Sequence, residues 1–438
     1  MPSEQYSLKE LKNNEIGPVK RLKIVEDLTE FPHEILDLKA SLEILDLSNN
    51  ALSSLPPEFK QLDNLKIVFL SNNKFTELPE VLGQCKNLEM IAFKGNKISK
   101  VAEYSLPPSV RWLILTDNEI TELPDSMGQL TQLRKLALAG NRLTKLPAKM
   151  ANCNELELVR LSANKLNTLP NWLFNLPKLA WLAFSGNPVC GPRSEALTLF
   201  PKNKLAEFEL KEKLGEGASG EIFLAKPQVE GNSTVAIKLF KGDITSDGYP
   251  QDELDCCLNA GVHSNLVKTL AQINAVPSLG MVMELIPSSY RNLGLPPSLS
   301  SCTRDTFTSE TAHHINNIYK LAQQMASVLA HLHENNVSHG DIYAHNSLIN
   351  GQYHLLFGDF GAASQLHHLS EYQRDAVQAI EVRAFGYFVE DLLQVCSDSD
   401  EKYKETYLKL AKIVASCTSN VLKDRPKFLD LVGILGSE

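Results

Sequence analysis

His339-Gly-Asp341-Ile-Tyr-Ala-His-Asn346, followed thirteen residues later by Asp359-Phe-Gly361, is the stretch from which the second half of this 438-residue chain is read. Asp341 and Asn346 stand five apart, a spacing that lets one loop present a carboxylate base and an amide ligand to the same bound group. Asp-Phe-Gly alone is an ordinary turn tripeptide, but here an apolar segment connects it to the loop before it. Upstream, Val235-Ala-Ile-Lys238 lies within the apolar strand pattern Thr234 to Phe240, where a plain surface lysine is the alternative. Further upstream, Gly215-Glu-Gly217-Ala-Ser-Gly220-Glu-Ile222 falls between the strand-like stretches Phe208–Leu214 and Glu221–Ala225. Glycines at such a turn let backbone amides approach an anion without a Cβ in the way. A dinucleotide-binding turn would be followed by a helix; strand pattern follows instead.

In this order the four segments resemble the protein-kinase signature. The resemblance implies a C-terminal α+β bilobal kinase-like fold with ATP and Mg2+ as cofactors. It places Gly215, Gly217, Gly220, Ile222 and Ala236 around the nucleotide and Lys238 on its α and β phosphates. Glu253, which opens the helical segment Asp252–Ala260, is the expected partner of Lys238, with Asp252 and Asp255 as alternatives. Gly280-Met-Val-Met-Glu-Leu-Ile286 resembles the fifth strand and hinge, with Glu284 to Ile286 on the adenine edge and Met283 as gatekeeper. Asp341 would accept the proton of the acceptor hydroxyl, and Asn346 and Asp359 would bind magnesium.

Departures from the family pattern are as informative as the matches. Gly340 replaces an arginine that in many kinases answers a phosphorylated activation loop, so that form of control loses its counter-ion. Tyr343 and His345 stand where serine/threonine kinases carry a lysine and tyrosine kinases an arginine; a serine/threonine acceptor ranks above tyrosine, but neither residue assigns it. Nineteen residues separate Gly361 from Glu381, with no Ala-Pro-Glu, and Glu381-Val-Arg-Ala-Phe-Gly386 resembles the large helix that normally begins further downstream. The activation segment is thus expected to be short. Arg425, deprived of that missing glutamate, is expected to pair with Glu371 or Glu381.

The first two hundred residues repeat Leu-x-x-Leu-x-Leu-x-x-Asn, with asparagines at 50, 73, 96, 118, 141, 164 and 187, a period of 23 residues and once 22. This resembles the leucine-rich repeat family, and Leu-Pro steps such as Leu55-Pro56 and Leu146-Pro147 match its short intracellular-type variant. One unit cannot bury its own apolar face, so units stack into a continuous core. The expected fold is an N-terminal α/β solenoid with a curved parallel sheet. Val101–Pro108 in the third repeat replaces the usual arm, and Leu28–Leu38 reads as a degenerate terminal cap. Residues alternating with the inward leucines, among them Phe69, Trp112, Ile114 and Trp181, give the concave face an apolar character suited to a protein partner or to the chain's own kinase half.

The domains expected are 1–190 (seven repeats plus cap), a linker over 191–205 that carries Leu197 and Leu199, and 206–438. A formal charge of −9 argues against nucleic-acid or anionic-membrane partners, and 43% apolar with 22% charged residues is ordinary for globular protein. Eight cysteines without CxxC or metal-ligand spacing, a Met1-Pro2 start without an apolar leader, and no long apolar run point to the cytoplasm. His313, His314, His367 and His368 read as exposed or loop histidines. An active phosphotransferase ranks above a nucleotide-binding scaffold, because Lys238, Glu253, Asp341, Asn346 and Asp359 are all present.

Overall fold

The computed structural model describes residues 5–13, 15–192, 200–217, 219–229, 233–242, 244–245, 247–275, 278–398 and 400–436. Contacts divide the chain into two compact units, Met1–Leu176 and Pro177–Glu438. The repeat pattern ends near residue 190, so its last unit is counted with the second body. The expected linker residues 193–199, Leu197 and Leu199 included, lie outside the described residues.

In the first unit a short helix α1 (Leu8–Lys12) precedes seven three-residue parallel strands in chain order. They are β1 (Arg21–Lys23), β2 (Ile44–Asp46), β3 (Ile67–Phe69), β4 (Met90–Ala92), β5 (Trp112–Ile114), β6 (Lys135–Ala137) and β7 (Leu158–Arg160). The central residue of each points inward, so Leu22, Leu45, Val68, Ile91, Leu113, Leu136 and Val159 form a closed apolar spine. After most strands a Leu-Pro step stops extension, and 3-10 turns begin at Pro57, Glu80, Asp125 and Ala148; after β7 the helix α2 (Asn171–Phe174) takes that place. In the third repeat no such turn forms; Tyr104 instead adopts φ 62° and stays exposed. The cap contributes more than its sequence suggests, since β1 pairs in register with β2.

Asparagines join the turns. Asn118 donates from Nδ2 to the carbonyls of Phe93 (2.9 Å) and Leu115 (3.0 Å) and accepts from the Ile98 amide at 2.9 Å. Asn73, Asn96, Asn141 and Asn164 repeat that arrangement, satisfying polar groups that the apolar spine has taken from water.

The second unit opens with β8 (Trp181–Ala183), the strand of the last repeat. A mixed sheet follows, in spatial order β10 (Phe208–Glu216), β11 (Gly220–Pro227), β12 (Val235–Phe240), β14 (Ser278–Glu284), β13 (Thr269–Ala275) and β9 (Lys202–Asn203). Its core is Ala225, Val235, Ile237, Ala271, Ile273 and Val282. The helix α3 (Pro250–Ala260) packs on this sheet through Leu254 and Leu258 against Met281.

The remainder is helical, with α4 (Ile315–Glu334), α5 (Glu371–Gln394), α6 (Lys404–Cys417) and α7 (Phe428–Gly436). Small ladders join β15 (Arg291–Asn292) to β17 (Ser347–Ile349) and β18 (Leu355–Phe357), and β16 (Val337–Ser338) to β19 (Ser364–Gln365). Helix α4 buries Ile318, Leu321, Ala322, Met325 and Leu329, the spacing of one helical face. Helix α5 is capped by Ser370 and Gln373 and starts ten residues before the Glu381 at which the sequence suggested it.

Removing one rung of the asparagine ladder tests its weight. Asn118→Ala leaves the buried Ile98 amide without its acceptor, while the Phe93 and Leu115 carbonyls keep Asn96 and Asn141 as donors, and is expected to lower unfolding free energy by about 1–3 kcal/mol. Denaturant titration followed by circular dichroism measures this; a loss under about 0.5 kcal/mol would show the ladder to be dispensable.

Candidate active site

A cleft of about 970 Å3 runs between the mixed sheet and the loops that precede β17 and follow β18. Gly215, Gly217, Gly220 and Ile222 line it from the β10–β11 flap, Ala236 and Lys238 from β12, Glu253 from α3, and Met283 to Ile286 from the hinge after β14. His345, Asn346 and Asp359 line it from the other side. The glycines differ in what they do. A Cβ at Gly215 or Gly217 would meet nothing within 4 Å, leaving the flap open toward a ligand, whereas one at Gly220 would press within 2.5 Å of the Leu239 carbonyl.

Lys238 forms a buried ion pair with Glu253, not with Asp252 or Asp255. Glu253 and Cys257 sit one helical turn apart and both face the cleft because Leu254 and Leu258 turn the neighbouring stripe of α3 into the core. Burial works against the Lys238 ammonium, but the carboxylates of Glu253 and Asp359 override it and raise its pKa. Lys238 therefore stays a cation. Asp252 differs: its Oδ2 is buried without a hydrogen-bond partner, and burial, with the Asp255 carboxylate nearby, pushes its pKa up to about 7.

Asn346 donates from Nδ2 to the Asp341 carboxylate at 2.7 Å and to the Asp341 carbonyl at 3.0 Å. Asp341 thus stands one hydrogen bond behind the cleft wall, and the amide oxygen of Asn346 is the group left for a cation. Asp359 adopts the left-handed conformation, φ 61° and ψ 76°, which aspartate tolerates better than most residues. Magnesium keeps several waters and takes one or two protein oxygens plus substrate phosphates. Asp359 and Asn346 fit that partial, hard-oxygen set. Among the described residues no cluster of three or more His, Cys, Asp or Glu could hold a metal ion by itself.

The loop His339–Asn346 is held from behind by two carboxylates that its own sequence does not announce. Glu381 on α5 accepts from the Gly340 amide at 2.7 Å and from His333 Nε2 at 2.7 Å. It is therefore not the partner of Arg425. That guanidinium donates to carbonyls of Ala379, Ser419 and Pro177, so neither Glu371 nor Glu381 answers it. Asp305 receives the Ala344 amide and pairs with His345 Nδ1, each at 2.6 Å. Asp305 lies in a turn-rich stretch far from any motif, and no local pattern marks it. His339 is buried, donates Nε2–H to the Gly358 carbonyl at 2.9 Å, and is held neutral by burial.

Of the residues expected on the concave face, Phe69, Trp112 and Ile114 are half-buried, with the Lys135 ammonium 4.2 Å above the Trp112 ring. Trp181 is only 1% exposed and packs inside the second unit on Tyr343 and Tyr387, so it is closed to an external partner. His313, expected at the surface, is buried with Nδ1 bonded to Tyr353 Oη at 3.0 Å.

Comparison with known proteins agrees with this geometry. Residues 208–382 match the protein kinase domain, and residues 40–98 and 131–189 match the leucine rich repeat. Aurora/IPL1-related protein kinase 2 of Caenorhabditis elegans is 30% identical over 168 residues, 36% of this chain and 49% of its own length. Fibroblast growth factor receptor 1 of Xenopus laevis is 24% identical over 208 residues, covering 44% and 26%. CBL-interacting serine/threonine-protein kinase 7 of Arabidopsis thaliana is 28% identical over 187 residues, covering 40% and 39%. The chain therefore spans about a quarter to a half of these relatives' lengths. It joins leucine-rich repeats to a protein kinase domain, and among the described residues no helix is long and apolar enough to cross a membrane.

Two substitutions probe the electrostatics. Lys238→Met leaves Glu253 buried without its counter-charge and is expected to cost about 3–5 kcal/mol, read by thermal melting, together with nucleotide binding. Asp252 binds its proton more tightly folded than unfolded, so it withdraws stability as pH rises from about 4 through about 7. Asp252→Asn should then stabilise the chain by on the order of 1–2 kcal/mol at pH 8 and by little near pH 4. Equal melting shifts at both pH values would contradict the assignment.

Proposed function

We propose that this chain is an ATP- and magnesium-dependent protein kinase that transfers the γ-phosphoryl group to a hydroxyl, serine or threonine ahead of tyrosine. The observation that carries the reading is the convergence of the Lys238–Glu253 ion pair, Asp359 and the Asn346–Asp341 pair on one cleft. In this reading Gly215, Gly217 and Gly220 cover the triphosphate, Ile222 and Ala236 contact the base, and Glu284 and Ile286 offer backbone groups to its edge. Lys238 holds the α and β phosphates. Asn346 and Asp359 hold Mg2+, which when bound neutralises charge that builds on the β and γ oxygens. Asp341 accepts the proton of the acceptor hydroxyl as its oxygen bonds to the γ-phosphorus and the bond to the ADP oxygen breaks.

The repeats up to about residue 190 would recruit a protein through Phe69, Trp112 and Ile114, and the domain from about 206 would carry the chemistry, in the cytoplasm. A nucleotide-binding scaffold is the second reading. It is favoured by one feature: residues 362–370 alone separate Gly361 from α5, leaving little chain to orient a peptide acceptor.

Transfer from γ-labelled ATP to a generic protein acceptor and to the chain itself tests the assignment. Asp341→Ala is expected to cut kcat about 10²–10⁴-fold while nucleotide still binds, and Lys238→Met to lose both. Nucleotide binding without transfer in the wild type selects the scaffold. Transfer equal in all three proteins would defeat the assignment of these residues.

A further inference from the structure

Position 340 can hold only glycine. Its φ is 72°, and a Cβ there would come within 2.5 Å of the Ala362 carbonyl oxygen and 2.9 Å of the Leu182 carbonyl oxygen. Leu182 belongs to β8, so the last repeat occupies the space that a side chain preceding Asp341 would need. Its neighbours grip the same loop. Trp181 lies flat on Tyr343, with ring centroids 4.7 Å apart and planes 6° from parallel. The indole Nε1–H donates to the Ile342 carbonyl at 3.1 Å. The Phe184 amide donates to Ser364 Oγ at 3.1 Å, just beyond Asp359-Phe-Gly361. Behind Trp181 the stack continues to Tyr387 on α5 at 5.5 Å, and the Arg304 guanidinium sits 4.2 Å from the Tyr387 ring. Arg304 is itself fixed to Asp391 and Glu390.

These contacts fall on the two residues directly after Asp341 and on the strand that leaves Asp359. In kinases that region is governed by the activation loop. Here the corresponding segment is only residues 362–370, and the strand of the last repeat covers the loop instead.

We propose that Trp181 is a positioning residue for phosphoryl transfer: with Leu182 and Phe184 it forms a brace, built into the chain, that sets the backbone carrying Asp341 and the exit from Asp359. The inference rests on the phosphotransfer reading above. Because the brace belongs to the same chain, it requires no phosphate to form, which agrees with the loss of the arginine at position 340. The brace touches the transfer loop and not the hinge or the flap, so it governs turnover more than nucleotide affinity.

Steady-state transfer and binding of a non-hydrolysable ATP analogue with Mg2+ test this in the full chain. Trp181→Ala is expected to lower kcat about 10²-fold, the cost of misplacing a reacting group by about 1 Å, with analogue affinity and KM for ATP unchanged within about threefold. Trp181→Phe keeps the stack but loses the donor to Ile342, and is expected about 2–10-fold below wild type in kcat. Hydrogen exchange should quicken in residues 340–346 of Trp181→Ala and stay unchanged in α3. A folded Trp181→Ala with kcat near wild type overturns the brace alone, as does a parallel fall of kcat and analogue affinity, which would report general loss of packing. Should Trp181→Ala fail to fold, Trp181→Phe with wild-type kcat overturns it. A wild type that transfers nothing overturns the underlying reaction and the positioning role with it.

Discussion

One buried ion pair sets the terms for the second unit. Lys238 and Glu253 have both been withdrawn from water, a cost that their mutual attraction recovers only when each is held in place by something else. Lys238 is fixed by its register between β11 and β14, opposite Ile222 and Met281. Glu253 is fixed by the apolar stripe of α3, which docks Leu254 and Leu258 on Met281. The pair thus turns hydrophobic packing into a statement about where a cation sits in a cleft. Asp359, across the cleft, adds a second carboxylate that keeps that cation charged.

The loop that carries Asp341 and Asn346 obeys a different constraint. The backbone from His339 to Asn346 is largely buried and cannot rely on water for its amides. Glu381 and Asp305 supply the acceptors, at 2.7 and 2.6 Å, from elements far apart in sequence. Each carboxylate has a second partner, a histidine, which spreads its charge over two donors. The loop is therefore shaped by the helical core and the Asp305 turn together, and its conformation belongs to neither.

Much of this was legible from sequence because periodicity and short motifs report local geometry. Seven asparagines in step announced the strands of the solenoid, and the glycine flap, Val235–Lys238 and the catalytic loop announced the residues that now line a single cleft. What stayed hidden was of long range. Asp305 carries no motif, Glu381 offers its charge to Arg425 as readily as to a loop amide, and the face that holds Trp181 suits an external protein as well as the chain's own second half, because sequence shows that a residue is apolar or charged without showing what approaches it. The early start of α5 is hidden for a related reason: its capping signal, Ser370 with Gln373, is polar and precedes the apolar stretch that begins at Glu381.

Solenoids change length over evolutionary time by duplicating or dropping whole units, since each unit meets only its neighbours. That freedom is unequal in this chain. A unit gained or lost around Asn73 or Asn96 would leave the strand Trp181–Ala183 and its carbonyl beside Gly340 as they are. The period that closes at Asn187 has lost that liberty: its backbone walls the loop that carries Asp341, so copying errors there would be judged by the shape of that loop and not by stacking alone.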